Sequence, residues 1–372
     1  MKKKVLVITA NNLGIGGIQS VIIEIKRRLS NEFNFDYVVF DHLDTFFEEE
    51  CMTEGSVFAI PYETDGIRKK IDFFVRGNRL YRGIKRIIRE FGPYDAVHCH
   101  NYFEAGIVLK AAKDANIPVR IAHSHSCMPI ARKKIIRRFY NHQYRNLILK
   151  NATNCLACSS LAGDYLFGEG SKYTVIANPV NTERFAYAAE QASPCSPWSF
   201  IQVGRYGYPK NPEFSLRVFA EIVNVHPEAT FTLVGEGNNV ETESVNKTID
   251  TLGIRDNVRL EPAQSDIPEL LKQCNILLFP SAYEGLGTVL IEAQSVGLKC
   301  FSSSSVPRET NLGHIEYIDL EDGPVIWAER IIDYVNANGF RRYKENMGIY
   351  DVKNIGQFYM KLYEGEMRED LT

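Results

Sequence analysis

The chain has 372 residues, of which 45% are hydrophobic and 24% charged, and its net charge is −3. This length suits a protein of two domains, each long enough to bury a core. Its apolar runs, such as Val5–Ile8, are far shorter than the roughly 20 residues that a membrane-spanning helix needs, so we exclude such a helix and expect a cytoplasmic protein.

The charge is unevenly distributed between the two halves of the chain. Residues 1–180 contain 26 Lys and Arg against 18 Asp and Glu, whereas residues 181–372 contain 17 against 28. A basic first half indicates that an anionic surface or ligand faces it.

The first half of the chain alternates apolar strand-like runs with amphipathic segments. The spacing predicts strands over 4–9, 37–40, 57–60, 96–98, 119–122, 154–158 and 173–176, and helices over 16–29, 67–91, 105–115 and 130–150. Strands separated by helices favour a parallel, doubly wound sheet.

A second series of the same kind follows an Ala-, Ser- and Pro-rich linker, 186–198. We therefore predict an α/β fold of two Rossmann-like domains, 1–185 and 199–350, facing across a cleft. The helix over 351–372 is expected to pack back on the first domain. The strands predicted in the second domain are 199–203, 230–234, 258–260, 276–279 and 299–302, and the helices 213–225, 240–252, 267–273, 288–296 and 325–337.

Two loops after predicted strands have the composition of phosphate-binding loops. Gly16 and Gly17 open a helix, where glycines let a ligand approach the backbone and the helix terminus favours anions. The third glycine of a dinucleotide fingerprint is missing, and a simple tight turn is the alternative. In the second domain, Arg205 and Lys210 place two cations in one loop; solvated surface charges are the alternative there.

Four histidines end two neighbouring predicted strands, His98 and His100 on one, His123 and His125 on the other. Imidazole is a common metal ligand. No Cys, Asp or Glu accompanies them at ligand spacing, so we expect no metal here.

A strand, a glycine-rich turn and a helix occupy residues 276–296, with Glu284 in the turn and Glu292 in the helix. The helix is apolar nearly all round, which predicts a buried Glu292 that needs a partner. Paired carboxylates also suit glycosidase chemistry, but a glycosidase would not need phosphate-binding loops.

These motifs together resemble family 4 of the retaining glycosyltransferases, which have the GT-B fold, and specifically its exopolysaccharide and capsule branch. The resemblance covers nearly the whole chain. It rests on an E-x7-E motif from Glu284 to Glu292 in a P-S-x-x-E-G-x-G setting, on G-R-x4-K at 204–210, and on the segments 175–181, 233–237 and 306–309.

The resemblance implies a role for each motif residue. Glu284 and one histidine, His125 in preference to His123, contact the donor sugar, and Glu292 binds the ribose. No protein general base is assigned, because the departing phosphate deprotonates the acceptor. The donor diphosphate is held by Arg205, Lys210, Gly16, Gly17, Gly287 and Thr288.

The implied function is retaining transfer of a hexose or N-acetylhexosamine from a nucleotide-diphosphate sugar, with UDP favoured, to a lipid-linked surface-polysaccharide oligosaccharide. No cofactor or metal is expected, nor a nucleic-acid partner, because no nucleic-acid motif is present. A peripheral position on the anionic inner face of the plasma membrane is expected, with a solvated basic face as the alternative. The proposed membrane contacts are Arg132, Lys133, Lys134, Arg137 and Arg138.

Two other classes of protein remain open on the sequence. A UDP-sugar 2-epimerase-like isomerase shares the two-domain fold but is not expected to carry the E-x7-E setting. A non-catalytic nucleotide-sugar sensor is disfavoured by the intact Glu284, Arg205 and Lys210.

Overall fold

A computed structural model describes residues 2–41, 45–61, 66–127, 135–187, 197–264, 266–344 and 346–367, without the side chains of 66–75 and 135–140. The chain divides into two compact units. The first contains residues up to Pro179 together with those from Ile349 onward, and the second contains Val180–Gly348. In the parts of the chain that are described, no helix has the length and hydrophobicity to cross a membrane.

The first unit is built on a seven-stranded parallel sheet in the order β3-β2-β1-β4-β5-β6-β7. Its five inner strands are buried along most of their length, as expected when helices cover both faces of a parallel sheet, whereas the residues of the two short edge strands are half-buried or exposed. The strands are β1 (Lys3–Ile8), β2 (Phe33–Val39), β3 (Val57–Ala59), β4 (Ala96–Cys99), β5 (Val119–Ser124), β6 (Asn154–Ala157) and β7 (Thr174–Val175).

Helices lie on both faces of this sheet, because each face carries its own buried apolar cluster. One cluster draws on α1, α2 and α12, and the other on α3, α4, α5 and α6. The helices are α1 (Gly17–Leu29), α2 (Glu48–Met52), α3 (Gly66–Phe91), α4 (Ala105–Lys113), α5 (Ile135–Asn151), α6 (Ser160–Phe167) and, from the chain's last segment, α12 (Val352–Glu364).

The second unit repeats this plan with a six-stranded sheet in the order β10-β9-β8-β11-β12-β13, again with parallel pairing. Its strands are β8 (Ser199–Val203), β9 (Thr230–Val234), β10 (Val258–Glu261), β11 (Ile276–Phe279), β12 (Lys299–Ser303) and β13 (Ile315–Ile318). Its helices are α7 (Pro212–Val225), α8 (Asn239–Leu252), α9 (Ile267–Lys272), α10 (Thr288–Ser295) and α11 (Gly323–Asn338).

Each sheet reverses its strand order at one point, between β1 and β4 in the first unit and between β8 and β11 in the second. Ligands of open α/β sheets bind outside the carboxyl ends of the strands at such points. The loops singled out from the sequence, 14–17 and 204–210, follow β1 and β8, so each begins at a reversal point.

The predicted fold class, two doubly wound α/β domains, is confirmed, with differences in detail. The chain divides between Pro179 and Val180, whereas the sequence suggested a boundary at 185; the Ser295 hydroxyl bonds the Phe185 carbonyl at 2.7 Å, which ties that segment to the second unit. The helix expected from 130 is described from Ile135. Of the predicted linker 186–198, residues 188–196 lie outside the described part.

Candidate functional site

Two loops of the second unit meet at the carboxyl ends of the neighbouring strands β8 and β11. The Ala282 amide donates to the Pro209 carbonyl at 2.9 Å, and the Asn211 side chain reaches the Pro280 carbonyl at 3.4 Å. Pro280 has no backbone N–H and ends β11, so the chain turns away from the sheet there. These contacts fix the positions of both loops relative to one another.

The two predicted donor-binding residues Lys210 and Glu284 form a salt bridge across these loops. Nζ of Lys210 lies 2.6 Å from Oε1 of Glu284, and the two side chains are only 23% and 13% exposed. The ammonium also lies 4.8 Å from the ring centre of Phe279. The Gln202 side chain donates to the Lys210 carbonyl at 2.9 Å and so holds the end of the loop. A partly buried cation is thereby fixed at the strand ends.

Arg205 provides a second cation in the same loop. Its side chain is exposed and enters no salt bridge with a described residue. Arg guanidinium groups bind phosphate oxygens through two parallel hydrogen bonds. Arg205 is therefore accessible to an anionic ligand at the end of β8.

Helix α10 begins where the second loop ends. Gly287 has a φ of +93°, a left-handed conformation that favours glycine, and a Cβ there would lie 3.3 Å from the Phe279 ring. Thr288 is the first residue of the helix. Glu292 follows one turn later and is half-buried, not buried as the sequence predicted. The prediction was wrong because the pattern of one helix does not show which of its faces a neighbour covers.

Gly16 and Gly17 lie between β1 and α1 in the first unit. Gly17 is exposed, and a Cβ on it would meet no other atom within 4 Å. A Cβ on Gly16 would come within 2.6 Å of the flexible end of Gln19. This loop therefore leaves its backbone open to an incoming group, and the described structure brings Gly17 to the amino end of a helix, as the sequence indicated.

The four histidines lie side by side at the ends of β4 and β5, which are neighbours in the first sheet. Nδ1 of His100 lies 2.7 Å from Nε2 of His125, and Nε2 of His98 lies 3.2 Å from Nδ1 of His123. Nδ1 of His98 lies 2.8 Å from the hydroxyl of Tyr363 on α12. The cluster thus contains two hydrogen-bonded imidazole pairs, one of them anchored to the last helix.

Burial lowers the pKa of all four imidazoles, because a charged ring loses its hydration. The pKa values of His98, His100 and His123 lie well below the usual range, and that of His125 falls to about 3. Repulsion between the rings lowers the first three further, whereas Asn178 beside His125 offsets part of the effect. All four histidines are therefore neutral near pH 7.

Three of these rings could supply metal ligands, since nitrogens of His98, His100 and His123 lie within 4.8 Å of one another. The lone pairs of a metal site converge on one point. Here the facing nitrogens of His98 and His123 are directed at each other, because their ring centres are 5.3 Å apart at an N–N distance of 3.2 Å. This arrangement suits hydrogen bonding better than metal binding.

The side chains of the five predicted membrane contacts are not among those that the structure describes. Arg132, Lys133 and Lys134 lie outside the described residues, and Arg137 and Arg138 lie in α5 without described side chains. The sequence motifs indicated no donor-binding role for His100, Gln202 or Tyr363. In the sequence, Phe358, Tyr359 and Tyr363 form an aromatic side of the final helix, and this pattern could have indicated Tyr363.

Models of two protein families match consecutive parts of the chain. The family described as Glycosyltransferase Family 4 matches residues 15–184, and the family described as Glycosyl transferases group 1 matches residues 183–311. The two matches meet where the chain passes from the first unit to the second.

Several curated proteins are similar over most of their length. The chain is 28% identical over 335 residues to EpsF of Bacillus subtilis, assigned as a glycosyltransferase, with 85% of this chain and 84% of that protein covered. It is 27% identical over 349 residues to the Escherichia coli UDP-Gal:alpha-D-GlcNAc-diphosphoundecaprenol alpha-1,3-galactosyltransferase, with 87% and 84% covered. Capsular polysaccharide biosynthesis glycosyltransferase CapH of Staphylococcus aureus is 26% identical over 286 residues, with 72% and 76% covered.

Solved structures share the fold. HepE of Anabaena, crystallised with UDP and glucose, superposes with a TM-score of 0.76 at 15% identity, over 98% of this chain and all of that one. WaaG, a glycosyltransferase of lipopolysaccharide biosynthesis, superposes with a TM-score of 0.66 at 14% identity, over 97% and 98%.

Proposed function

The chain belongs to the family 4 glycosyltransferases of GT-B fold, as its motifs predicted, and on that premise we propose that it uses a UDP-sugar as donor and a lipid-linked oligosaccharide as acceptor. It is a glycosyltransferase of polysaccharide or capsule biosynthesis. We propose further that it transfers a hexose or N-acetylhexosamine with retention of anomeric configuration.

The observation that carries the donor proposal is the partly buried pair Lys210–Glu284 beside the exposed Arg205, at the point where the second sheet reverses its strand order. Two cations at a strand end suit a diphosphate. Two similarities support UDP in particular: the E. coli relative is named for UDP-Gal, and HepE was crystallised with UDP and with UDP-glucose.

In the proposed complex, Arg205 and Lys210 contact the donor diphosphate. Glu284 holds the Lys210 ammonium at the strand ends, so that the cation needs little reorganisation to contact a phosphate oxygen. Glu284 also reaches the donor sugar, and Glu292 binds the ribose hydroxyls, a role that its half-buried side chain allows. Backbone amides at Gly287 and Thr288 meet the distal phosphate.

The first unit contains three further residues that the motifs implicate in donor binding. Gly16 and Gly17 let the diphosphate approach the amino end of α1, and His125 contacts the donor sugar. His125 is preferred to His123 because it is half-buried, whereas His123 is 1% exposed.

In the proposed reaction, the bond between the anomeric carbon and the β-phosphate oxygen breaks while the acceptor oxygen bonds that carbon on the same face. The acceptor proton passes to the departing phosphate oxygen, so no protein general base is needed. The growing negative charge on the phosphate is stabilised by Arg205 and Lys210, which take the part of a divalent metal ion. No cofactor enters this scheme.

The acceptor and the location of the enzyme are proposed from the basic first unit. Exposed Arg82 and Arg86 line a concavity on α3 together with half-buried Arg79. Such a surface attracts anionic lipid head groups. We place the enzyme peripherally on the inner face of the plasma membrane, with its lipid-linked acceptor, and the E. coli relative, named for a diphosphoundecaprenol-linked substrate, supports this.

The experiment that tests this function is an incubation with UDP-N-acetylglucosamine, UDP-glucose or UDP-galactose, with and without a polyprenyl-diphosphate-linked GlcNAc acceptor, followed by mass spectrometry. We expect an extended lipid-linked saccharide with at least one donor, and no sugar transfer without acceptor. Conversion of UDP-N-acetylglucosamine into an epimer in the absence of acceptor would instead establish the alternative, a 2-epimerase-like isomerase.

A further inference from the structure

Two tyrosines, Tyr208 and Tyr283, lie on the loops that carry the Lys210–Glu284 pair, and neither has a role in the proposed donor complex. We propose that Tyr208, supported by Tyr283, is a platform for the acceptor saccharide, which packs the apolar face of one sugar ring against the tyrosine ring. The inference rests on the proposed function, because it uses the same-face reaction described there.

The ring of Tyr208 is accessible and is held by a second ring. Tyr208 is 55% exposed, whereas Tyr283 is half-buried. The ring centres lie 5.5 Å apart and the ring planes meet at 64°, an edge-to-face arrangement that aromatic pairs prefer. A single exposed apolar side chain is common on any protein surface. Here, the exposed ring is one of a pair that joins two loops of the candidate site.

The turn that carries Tyr208 is closed by backbone hydrogen bonds. The Asn211 amide donates to the Gly207 carbonyl at 3.1 Å, and the Ala282 amide of the neighbouring loop donates to the Pro209 carbonyl at 2.9 Å. Gly207 has a φ of +100°, a conformation that favours glycine. The ring therefore stands on a fixed backbone, and a rigid aromatic ring gives contact area at a small loss of conformational freedom.

The proposed reaction decides which substrate meets this ring. When the acceptor oxygen attacks the anomeric carbon on the face that the diphosphate leaves, the acceptor must lie beside the diphosphate. In the proposed complex, the diphosphate contacts Arg205 and Lys210, which lie three residues before and two residues after Tyr208 in one loop. The loop that holds the leaving group is therefore also the loop beside the incoming saccharide, and Tyr208 is its exposed aromatic residue.

The neighbouring charged groups separate this platform from the donor. Lys210 and Glu284, which contact the donor in the proposed complex, have side chains that are 23% and 13% exposed. A donor held by these two groups uses the less exposed part of the loops and leaves the ring of Tyr208 for a second saccharide. The phenol ring carries no charge and has one hydroxyl at its edge, so it suits a neutral sugar ring better than a phosphate.

Kinetics with varied acceptor test the assignment. The donor is saturating UDP-sugar, and the acceptor is a short-chain polyprenyl-diphosphate-linked GlcNAc. We expect Tyr208→Ala to raise the acceptor KM about tenfold, as for the loss of one stacking contact, with kcat within about twofold of the wild type. Tyr208→Phe keeps the ring and should stay within about twofold of the wild type in both parameters. An unchanged acceptor KM in a folded Tyr208→Ala protein would overturn the proposal.

Tyr283 is a positioning residue, because it acts through the ring of Tyr208. We expect Tyr283→Ala to raise the acceptor KM about threefold with kcat unchanged, and to add nothing to the effect of Tyr208→Ala in the double variant. A further loss in the double variant would contradict this role for Tyr283.

Calorimetric binding of UDP-glucose and UDP-galactose without acceptor separates the two substrates. We expect Tyr208→Ala to bind both like the wild type. Weaker donor binding with an unchanged acceptor KM would assign the ring to the donor and overturn the proposal. Val225→Ala is the control, since this residue is 61% exposed at the end of α7, and it should leave the acceptor KM unchanged.

Binding of the same acceptor in the presence of UDP, also measured by calorimetry, needs no catalysis. We expect Tyr208→Ala to weaken it about tenfold and Tyr208→Phe to leave it unchanged. If the wild-type protein transfers no sugar, the proposed function fails, whereas this measurement still decides whether Tyr208 binds the saccharide. Equal acceptor binding by the wild type and Tyr208→Ala, or none by the wild type, would overturn the platform.

Discussion

At the scale of single residues, the site is assembled by the adjacency of strand ends. Lys210 and Glu284 are 74 positions apart in the chain, yet their side chains lie 2.6 Å apart because β8 and β11 are neighbours. The histidines of β4 and β5 meet for the same reason. A parallel sheet therefore collects the polar residues that follow its strands at one edge.

The buried histidines predict a stability that depends on pH. In the unfolded chain their pKa is about 6.5, whereas in the folded first unit all four are lower, about 3 for His125. The unfolded state therefore binds more protons below pH 6.5, and the free energy of unfolding falls as pH drops from there towards 3. Each histidine contributes up to about 1.4 kcal/mol per pH unit in this window.

Hydrogen exchange by mass spectrometry at pH 7 and pH 5, corrected for intrinsic rates, measures this effect. We expect protection of β4 and β5 to fall more steeply than protection of β11 and β12 in the second unit. An equal fall in both units would contradict the account of the buried histidines.

The two cations at the proposed donor site predict activity without a divalent metal. In the proposed complex, Arg205 and Lys210 supply the positive charge that the leaving diphosphate needs. We expect transfer rates to change less than twofold in excess EDTA, measured with the acceptor assay above. Loss of activity in EDTA that magnesium or manganese restores would show this prediction to be wrong.

At the scale of secondary-structure elements, α12 illustrates how the end of the chain completes the first unit. It packs against α1, and four of its side chains enter the core cluster on that face of the sheet. Those side chains are Ile355, Tyr359, Leu362 and Tyr363. The helix begins at a side-chain cap, where Asp351 accepts from the Lys353 amide at 2.9 Å, and ends before Gly365 in the left-handed conformation.

Substitutions of Tyr359 test the contribution of α12. Its ring is fully buried, and its hydroxyl has no hydrogen-bond partner among the described residues. We expect Tyr359→Ala to destabilise the first unit by about 3–5 kcal/mol, as for other large-to-small core changes. Tyr359→Phe is the matched control and should cost nothing or stabilise slightly, because it removes an unpaired buried group. Denaturant unfolding followed by circular dichroism measures both; equal stability of the two variants would contradict this packing.

The sequence indicated most elements, because strands buried on both faces form continuous apolar runs such as Ile276–Phe279. It did not indicate β13, whose four residues include the polar Glu316 at the edge of the sheet. The sequence indicated Lys210, Glu284 and the histidines one by one, because each follows or ends a predicted strand. The sequence could not show that Lys210 pairs with Glu284, or that the histidines pair with one another. Nor could it show the contact of His98 with Tyr363 across 265 positions, because all these contacts depend on how the elements pack.

At the scale of the whole molecule, the unequal charge of the two halves bears on where the enzyme acts. The first 180 residues have an excess of cations, and the basic concavity of α3 lies in the first unit. A cationic surface near an anionic bilayer gains about 1 kcal/mol per Lys or Arg. This supports our proposal of a peripheral enzyme working on a lipid-linked acceptor.

Vesicle binding tests the membrane proposal. We expect the double variant Arg82→Gln and Arg86→Gln to lose about 2 kcal/mol of affinity for vesicles containing phosphatidylglycerol, measured by co-sedimentation. Arg255→Gln with Arg330→Gln, exposed in the second unit, is the control and should bind like the wild type. Equal binding of both double variants would remove α3 from the proposed membrane contact.

The measurement that tests the central claim most directly is the kcat/KM of sugar transfer in Lys210→Ala and Lys272→Ala. Lys272 is a close match, because its side chain is also 23% exposed and lies 2.7 Å from Glu269. We expect Lys210→Ala to lose about 10²–10³-fold in kcat/KM, as when one preorganised charge contact to a transition state is removed, and Lys272→Ala to stay within about twofold of the wild type. Near-wild-type transfer by a folded Lys210→Ala protein would contradict the assignment of this site.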